Sequence, residues 1–325
     1  MKKFGLLLKR EYWEHRGGFL WTPVSIAASI VAITVLGILS AELFSTRARI
    51  NVGFSLDTLR GHIDANDLFD AGRGLDMAQL TFAGIVGIGL FFVTFFYLLG
   101  ALYDDRRDRS VLFWKSLPVS DLETVAAKAL TAALVVPAIA LAVATLAYAA
   151  FVAVVCAWAG LHGVNALPAV LAAHPFGMLL RLVATLPIGA LWALPTVGWL
   201  LFWSAYARSK PFLWAVMLPV VALIANWWVA LLGGPHVGNE LTLAGVLGRL
   251  LFSVMPGSWI ASSGSLGAGL HVPLPLGDDP LLAALVPAHA YQALTTWNLW
   301  LGVAGGVVLL AGATWLRGRR IETAT

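Results

Sequence analysis

The sequence predicts an all-α membrane protein with six transmembrane helices, on three observations. Hydrophobic residues fill 59% of the 325 positions and charged residues only 12%, against roughly 25% charged in an average soluble domain. A soluble fold of this size could not cover its surface with so few polar side chains. Six mainly apolar runs approach or exceed the roughly 20 residues a bilayer helix needs. The basic residues are also unevenly placed, which sorts the connections between runs into two sides. Fourteen Trp fit the same class, since indole rings favour the membrane–water boundary. A single cysteine, Cys156, excludes an internal disulfide and any cysteine-built metal site. A net charge of +4 is too small to mark a nucleic-acid surface, so no nucleic-acid partner is expected.

Taken in order, residues 1–18 read as an amphipathic helix lying at the inner membrane surface. Phe4, Leu7, Leu8 and Tyr12 share about a third of the helical wheel. Leu6 and Trp13 fall on the other side, where a second buried contact is expected, and Gly17–Gly18 form the joint into the first span. Lys2 and Lys3 imitate the start of a signal peptide. Phe4–Leu8 is too short for its apolar core, and the later apolar run reads as a retained span. The spans are placed at 19–41, 79–102, 125–158, 179–206, 211–232 and 297–316 of one membrane domain covering 1–325. Thr22 and Pro23 read as the N-cap and first residue of span one. Ser120 and Glu123 form a capping box that opens span three.

The segments 1–19, 103–128, 206–211 and 317–325 hold 15 of the chain's 21 Lys and Arg. The positive-inside rule puts them in the cytoplasm, with both termini, and a bacterial inner membrane is the expected location. On the other side, 42–78 is polar and partly helical by expectation. Residues 233–296 are apolar but broken by prolines, and Val246–Val254 and Leu281–Ala293 are too short to cross, which suits a re-entrant outer segment before span six.

The spans carry essentially no Asp, Glu, Lys or Arg away from their ends, whereas ion-coupled carriers keep such groups where the ion binds. Asn226 is the strongly polar mid-span residue, read first as an interhelical hydrogen bond and otherwise as a pathway contact. Pro137, Pro187, Pro195 and Pro219 are candidate hinges, with static kinks as the plainer reading. Gly84, Gly87 and Gly89 permit close helix contact. Seven histidines show no metal-ligand spacing, and no Ser/His/Asp arrangement marks a hydrolase, so neither metal nor catalysis is expected.

Between spans two and three, Tyr103–Ser110 is densely charged and runs into an apolar, aromatic stretch ending at Pro118. A short helix fits between Asp108 and Leu117, and its Phe113 and Trp114 offer a patch for a protein partner. Lys9-Arg10-Glu11-Tyr12-Trp13-Glu14, the Asp105-Arg106 pair, Ser110 and Leu117-Pro118-Val119-Ser120 together resemble the first 130 or so residues of type-2 ABC exporter permeases. Asp104-Asp105 stands where that family often has Glu before the Arg, and 42–78 is longer than in small members.

The resemblance implies a cytoplasmic coupling helix in the 104–120 loop, docking on a separate ABC ATPase present in two copies. It also implies a second permease chain, a homodimer by expectation, to complete the pathway. The docking residues implied are Arg10, Glu11, Asp105, Arg106, Arg109, Ser110, Phe113, Trp114, Lys115, Leu117, Pro118 and Ser120. No Gly-x-x-x-x-Gly-Lys-Ser/Thr phosphate loop occurs, so ATP and Mg would sit on the partner and this chain would bind no cofactor. The weakly polar interior points to an amphiphilic, lipidic or peptide cargo. The rival readings are an ion-coupled carrier or channel, and a membrane-embedded enzyme or scaffold.

Overall fold

The computed structural model describes residues 2–44, 65–108, 119–232, 243–262, 282 and 284–319. Among these, every regular element is helical. Five helical stretches are long and apolar enough to cross a membrane: Lys3–Ser40, Leu68–Arg107, Asp121–Leu161, Leu167–Tyr206 and Trp297–Arg319. The stretch expected as a further span at 211–232 contains a shorter apolar helix, Leu213–Val229.

The elements in chain order are α1 (Lys2–Arg16), α2 (Thr22–Phe44), α3 (Ala65–Ala101), α4 (Tyr103–Arg107), α5 (Asp121–Leu130), α6 (Val136–Leu161), α7 (Leu167–Ala172) and α8 (Pro175–Tyr206). They continue with α9 (Leu218–Leu231), α10 (Leu243–Phe252), α11 (Ser258–Ser262), α12 (Pro287–Ala290) and α13 (Trp297–Arg319). α3 is the centre of the main core, packing on α2, α6 and α8, while α8 pairs most extensively with α13. That pair closes tightly because two glycines face each other. A Cβ at Gly198 would strike the Gly306 carbonyl, and one at Gly306 would strike the backbone of Leu194.

Three π-turns interrupt the helices, at Gly17–Trp21, Thr131–Val135 and Leu213–Met217. Each is followed at its second residue by a proline: Pro23, Pro137 and Pro219. The residue four before each proline, Phe19, Ala133 or Ala215, is the middle of the widened turn. Proline supplies no N–H to that carbonyl and its ring crowds it. Widening the turn relieves the clash without ending the helix. Beyond Pro219 the freed Ala215 carbonyl is recovered by another element, since the Trp199 indole N–H donates to it at 3.0 Å. Pro187 and Pro195 lie inside α8 with no such widening.

This corrects two expectations at the N-terminus. Thr22 is not an N-cap and Gly17–Gly18 is not a joint, because the helix runs on through Lys3–Ser40. α1 therefore extends span one and packs along α5 instead of lying apart from the bundle. Leu7 is buried, with Phe4, Leu8 and Tyr12 half-buried beside it, while Leu6 and Trp13 stay exposed.

α3 has 37 residues, about 55 Å at 1.5 Å per residue. It therefore overhangs a hydrocarbon core of roughly 30 Å. The overhang packs on α7 and the head of α8: Gly72 abuts the Ala172 backbone, Asp76 Oδ1 accepts from the His174 amide at 3.2 Å, and Gln79 Nε2 donates to the Pro175 carbonyl at 3.3 Å. Of the expected 42–78 segment, residues 45–64 lie outside the described residues.

α10, the turn after it and α11 insert into the bundle. Gly257, with φ +74°, makes the reversal. Phe252 stacks on Phe91 of α3, and Pro256 fills the gap left by Gly87. Thr196 Oγ1 of α8 donates to the Arg249 carbonyl at 2.9 Å and accepts from the Ser253 amide at 2.9 Å. Gly89 receives Ile26 of α2, so two of the three glycines expected to allow close contact do so within this chain.

Candidate functional site

The ends of α1, α4, α5, α8 and α13 meet at one end of the bundle, together with the charges expected to mark the docking surface. These charges are largely turned inward. Lys128 Nζ lies 3.2 Å from Glu11 Oε1 and 3.6 Å from Asp105 Oδ2. Arg317 Nη1 lies 3.2 Å from the same Asp105 oxygen, and its Nε lies 3.0 Å from Asp121 Oδ1. Tyr97, rising from α3, donates its O–H to Glu11 Oε2 at 2.9 Å. Glu11 and Lys128 are each 2% exposed, Arg317 5% and Asp105 9%. Two cations thus face three carboxylates, and the paired residues stand up to 212 positions apart in the chain.

Buried charge is tolerated only when it is paired and its remaining donors and acceptors are met. Here the pairing also specifies an arrangement. α1 is registered against α5 by Glu11 and Lys128. α13 is registered against α4 and α5 by one guanidinium that spans Asp105 and Asp121. The aromatic rings of His15 and Phe19 pack on Tyr97 at 4.7 and 5.0 Å between centroids and close the apolar side of the cluster.

A second set of bonds fixes the turn between α3 and α4. The Ser204 hydroxyl of α8 accepts from the amides of Leu102 and Tyr103, both at 3.0 Å. Arg106 returns the contact, donating from Nη2 to the carbonyls of Ser204 at 2.6 Å and Ala207 at 3.0 Å. These carbonyls end α8, where a cation is favoured by the helix dipole. On the other flank the capping box forms as expected. Ser120 Oγ accepts from the Glu123 amide at 3.1 Å, and Glu123 Oε2 accepts from the Ser120 amide at 2.9 Å. The Ser120 amide, and after it the Ser120 hydroxyl donating to the same carboxylate oxygen at 3.1 Å, hold the Glu123 carboxyl below its ordinary range.

Of the residues expected to dock a partner, Glu11, Asp105 and Arg106 are therefore engaged within the chain. Arg10 pairs with Glu14 at 3.1 Å on the outer face of α1. Ser120 caps α5. Arg109, Ser110, Phe113, Trp114, Lys115, Leu117 and Pro118 lie outside the described residues, as does most of the helix expected between Asp108 and Leu117. Asp105 and Arg106 stand just before that segment and Ser120 just after it, so both ends of the loop are anchored. Sequence reasoning missed Tyr97, Lys128, Asp121, Ser204 and Arg317. The available signal was Lys128, a lone cation in the apolar run from Val125 to Leu130.

Among the candidate hinges, Pro137 and Pro219 each stand two residues after the end of a π-turn. Asn226 is half-buried on α9. At the opposite end, Glu42 Oε1 accepts from Trp158 Nε1 at 2.7 Å and meets His162 Nε2 at 2.9 Å, pinning the end of α2 to that of α6. Among the described residues, no three His, Cys, Asp or Glu groups gather at metal-binding distance. No protein-family model, curated protein or solved structure matches the chain.

Proposed function

We propose that the chain is the permease subunit of an ATP-driven exporter of the type-2 ABC class. In this reading it forms the pathway with a second copy of itself and takes its energy from a separate ATPase through the 104–120 loop. The observation that carries the reading is the ion network. It gathers α1, α4, α5 and the end of α13 at the two roots of that loop, so a push on the loop reaches four elements at once. The sequence resemblance gives the push a source, and the basic end is then cytoplasmic.

The six-span topology belongs to the same proposal. α8 ends at the basic end, where Ser204 holds Leu102, and α13 starts at the opposite end and returns to it with Arg317. The chain between them must cross once, and the helix from Leu213 to Leu231 is the available crossing. The insert α10–α11 then enters from the outer side without traversing, as a re-entrant segment does.

The test is to purify the chain with the ATPase encoded beside it and measure assembly and stimulated ATP hydrolysis. Trp114→Ala combined with Arg109→Glu is expected to abolish both while the permease remains folded. Full assembly and stimulation in that variant would remove the docking claim. Transport by the chain alone, reconstituted without any ATPase, would favour a carrier.

A further inference from the structure

Arg249 stands apart from every other described arginine within the bundle. It rises from α10, and its guanidinium carbon lies 3.9 Å from the centroid of the Trp192 ring on α8. Gly302 of α13 stands so close against the guanidinium that any Cβ there would collide with it. The group is thus held between an indole and a bare backbone, and Nη1 donates to the Asn298 carbonyl in the first turn of α13. Nε and Nη2 are enclosed and have no hydrogen-bond partner. No carboxylate pairs with Arg249 among the described residues. Thr196 of α8 and Ser253, just past α10, are already committed, both donating to the Arg249 carbonyl.

The position makes this arrangement costly. Thr196, which holds the α10 backbone, is ten residues before the end of α8, roughly 15 Å along the helix. Gly302 is five residues into α13, roughly 8 Å from its start. The guanidinium therefore lies within the apolar length of the two helices, where an uncompensated cation is strongly disfavoured. Arginine keeps its proton in such surroundings, so it cannot escape by neutralising. Its Nε–Nη2 edge is a planar fork that matches two oxygens of a carboxylate or phosphate. The stack on Trp192 fixes the plane of that fork, which removes part of the ordering cost of binding.

We propose that Arg249 is the recognition point for an amphiphile with an oxyanion head group, phosphate or carboxylate, seated between α8, α10 and α13. The head would take the Nε–Nη2 fork, which requires the guanidinium to slide off Gly302. The tail would lie along exposed apolar side chains of the same helices, Val246 of α10 and Trp300 and Leu301 of α13. This assigns a ligand class to the chain itself and does not rest on coupling to an ATPase.

The full chain, purified in a neutral maltoside detergent, is titrated with dihexanoyl phosphatidic acid, with dihexanoyl phosphatidylcholine and with inorganic phosphate, reading thermal stability and bound lipid by native mass spectrometry. Wild type is expected to bind phosphatidic acid at least about ten-fold more tightly than the zwitterionic lipid, the scale of one charge-assisted contact. Arg249→Gln is expected to lose that preference, and Arg249→Lys, which keeps the charge without the fork, to retain only part of it. Inorganic phosphate acting as well as phosphatidic acid would identify a free anion as the ligand and overturn the amphiphile. A wild type with no anionic preference, or variants that keep it in full, would overturn the site. The wild-type comparison stands even if Arg249→Gln fails to fold.

Discussion

The ion network at the basic end and the inserted α10 handle charge in opposite ways. At the basic end, Glu11, Asp105, Asp121, Lys128 and Arg317 are all engaged with an opposite charge, with Tyr97 meeting a further carboxylate lone pair. In the insert, Arg249 has a ring, a glycine and one carbonyl, and two of its nitrogens have no hydrogen-bond partner. Both cost desolvation, but only the first arrangement recovers it inside the chain. Closed pairing reads as registration of helices, since each ion restricts where its neighbours may sit. An open fork reads as a place kept for something else. The contrast also separates two roles that composition alone merges, because both regions contribute to the same small number of charged residues.

The largest effect should come from opening the closed network. Lys128→Met leaves Glu11 and part of Asp105 buried without a counter-charge, at a cost of about 3–5 kcal/mol. Thermal unfolding of the purified chain is expected to show that loss, or expression to fail. Removing the opposing charge as well, in Glu11→Met with Lys128→Met, is expected to recover most of it, because an apolar pair of similar size replaces the ions. Equal damage in the single and double variants would mean that shape at this contact matters more than charge.

Smaller effects should follow where a single hydrogen bond is at stake. Ser120→Ala removes the side-chain half of the capping box at the head of α5 and should cost about 1 kcal/mol. Trp199→Phe removes the donor to the Ala215 carbonyl and should cost a similar amount, about 1 kcal/mol. The second has a specific rescue. Pro219→Ala restores an N–H four residues after Ala215, so Trp199→Phe should cost much less in that background. An unchanged cost would show that the π-turn at Leu213–Met217 is not held open by the proline.

Much of the fold was legible because lipid imposes a coarse rule: long apolar runs become helices. The capping box at Ser120–Glu123 was legible because its two partners are three residues apart. The π-turns follow from prolines at Pro23, Pro137 and Pro219, yet Pro23 looked like a helix start because Thr-Pro is also how helices begin. Local sequence cannot separate a first turn from a widened one when apolar residues precede both. The ion network was illegible for a different reason. Glu11 and Asp105 sit in charged, cytoplasm-like stretches, where a carboxylate is ordinarily solvated. Only the fold brings Lys128 and Arg317 from 117 and 212 residues away to cover them. The same limit hid Arg249. It lies in a short apolar helix that reads as interfacial, and only the insertion of α10 beside Trp192 carries it inward.

The smallest expected effect is the most informative for the contrast between the two regions. Arg249→Met removes a stack worth about 0.5–2 kcal/mol and the bond to Asn298. It also removes an uncompensated charge from an apolar seam, and methionine can fill the space beside Gly302. These terms oppose each other, so unfolding without added amphiphile should shift by no more than about 1 kcal/mol, the scale of an ordinary substitution. A loss as large as that of Lys128→Met would mean that Arg249 already has its counter-charge within the chain. The fork would then be closed like the network at the basic end, and the two regions would be alike. A near-neutral Arg249→Met beside a ruinous Lys128→Met would show the difference directly: a buried cation indispensable where the fold supplies its partner, and a half-buried one dispensable to folding where it does not.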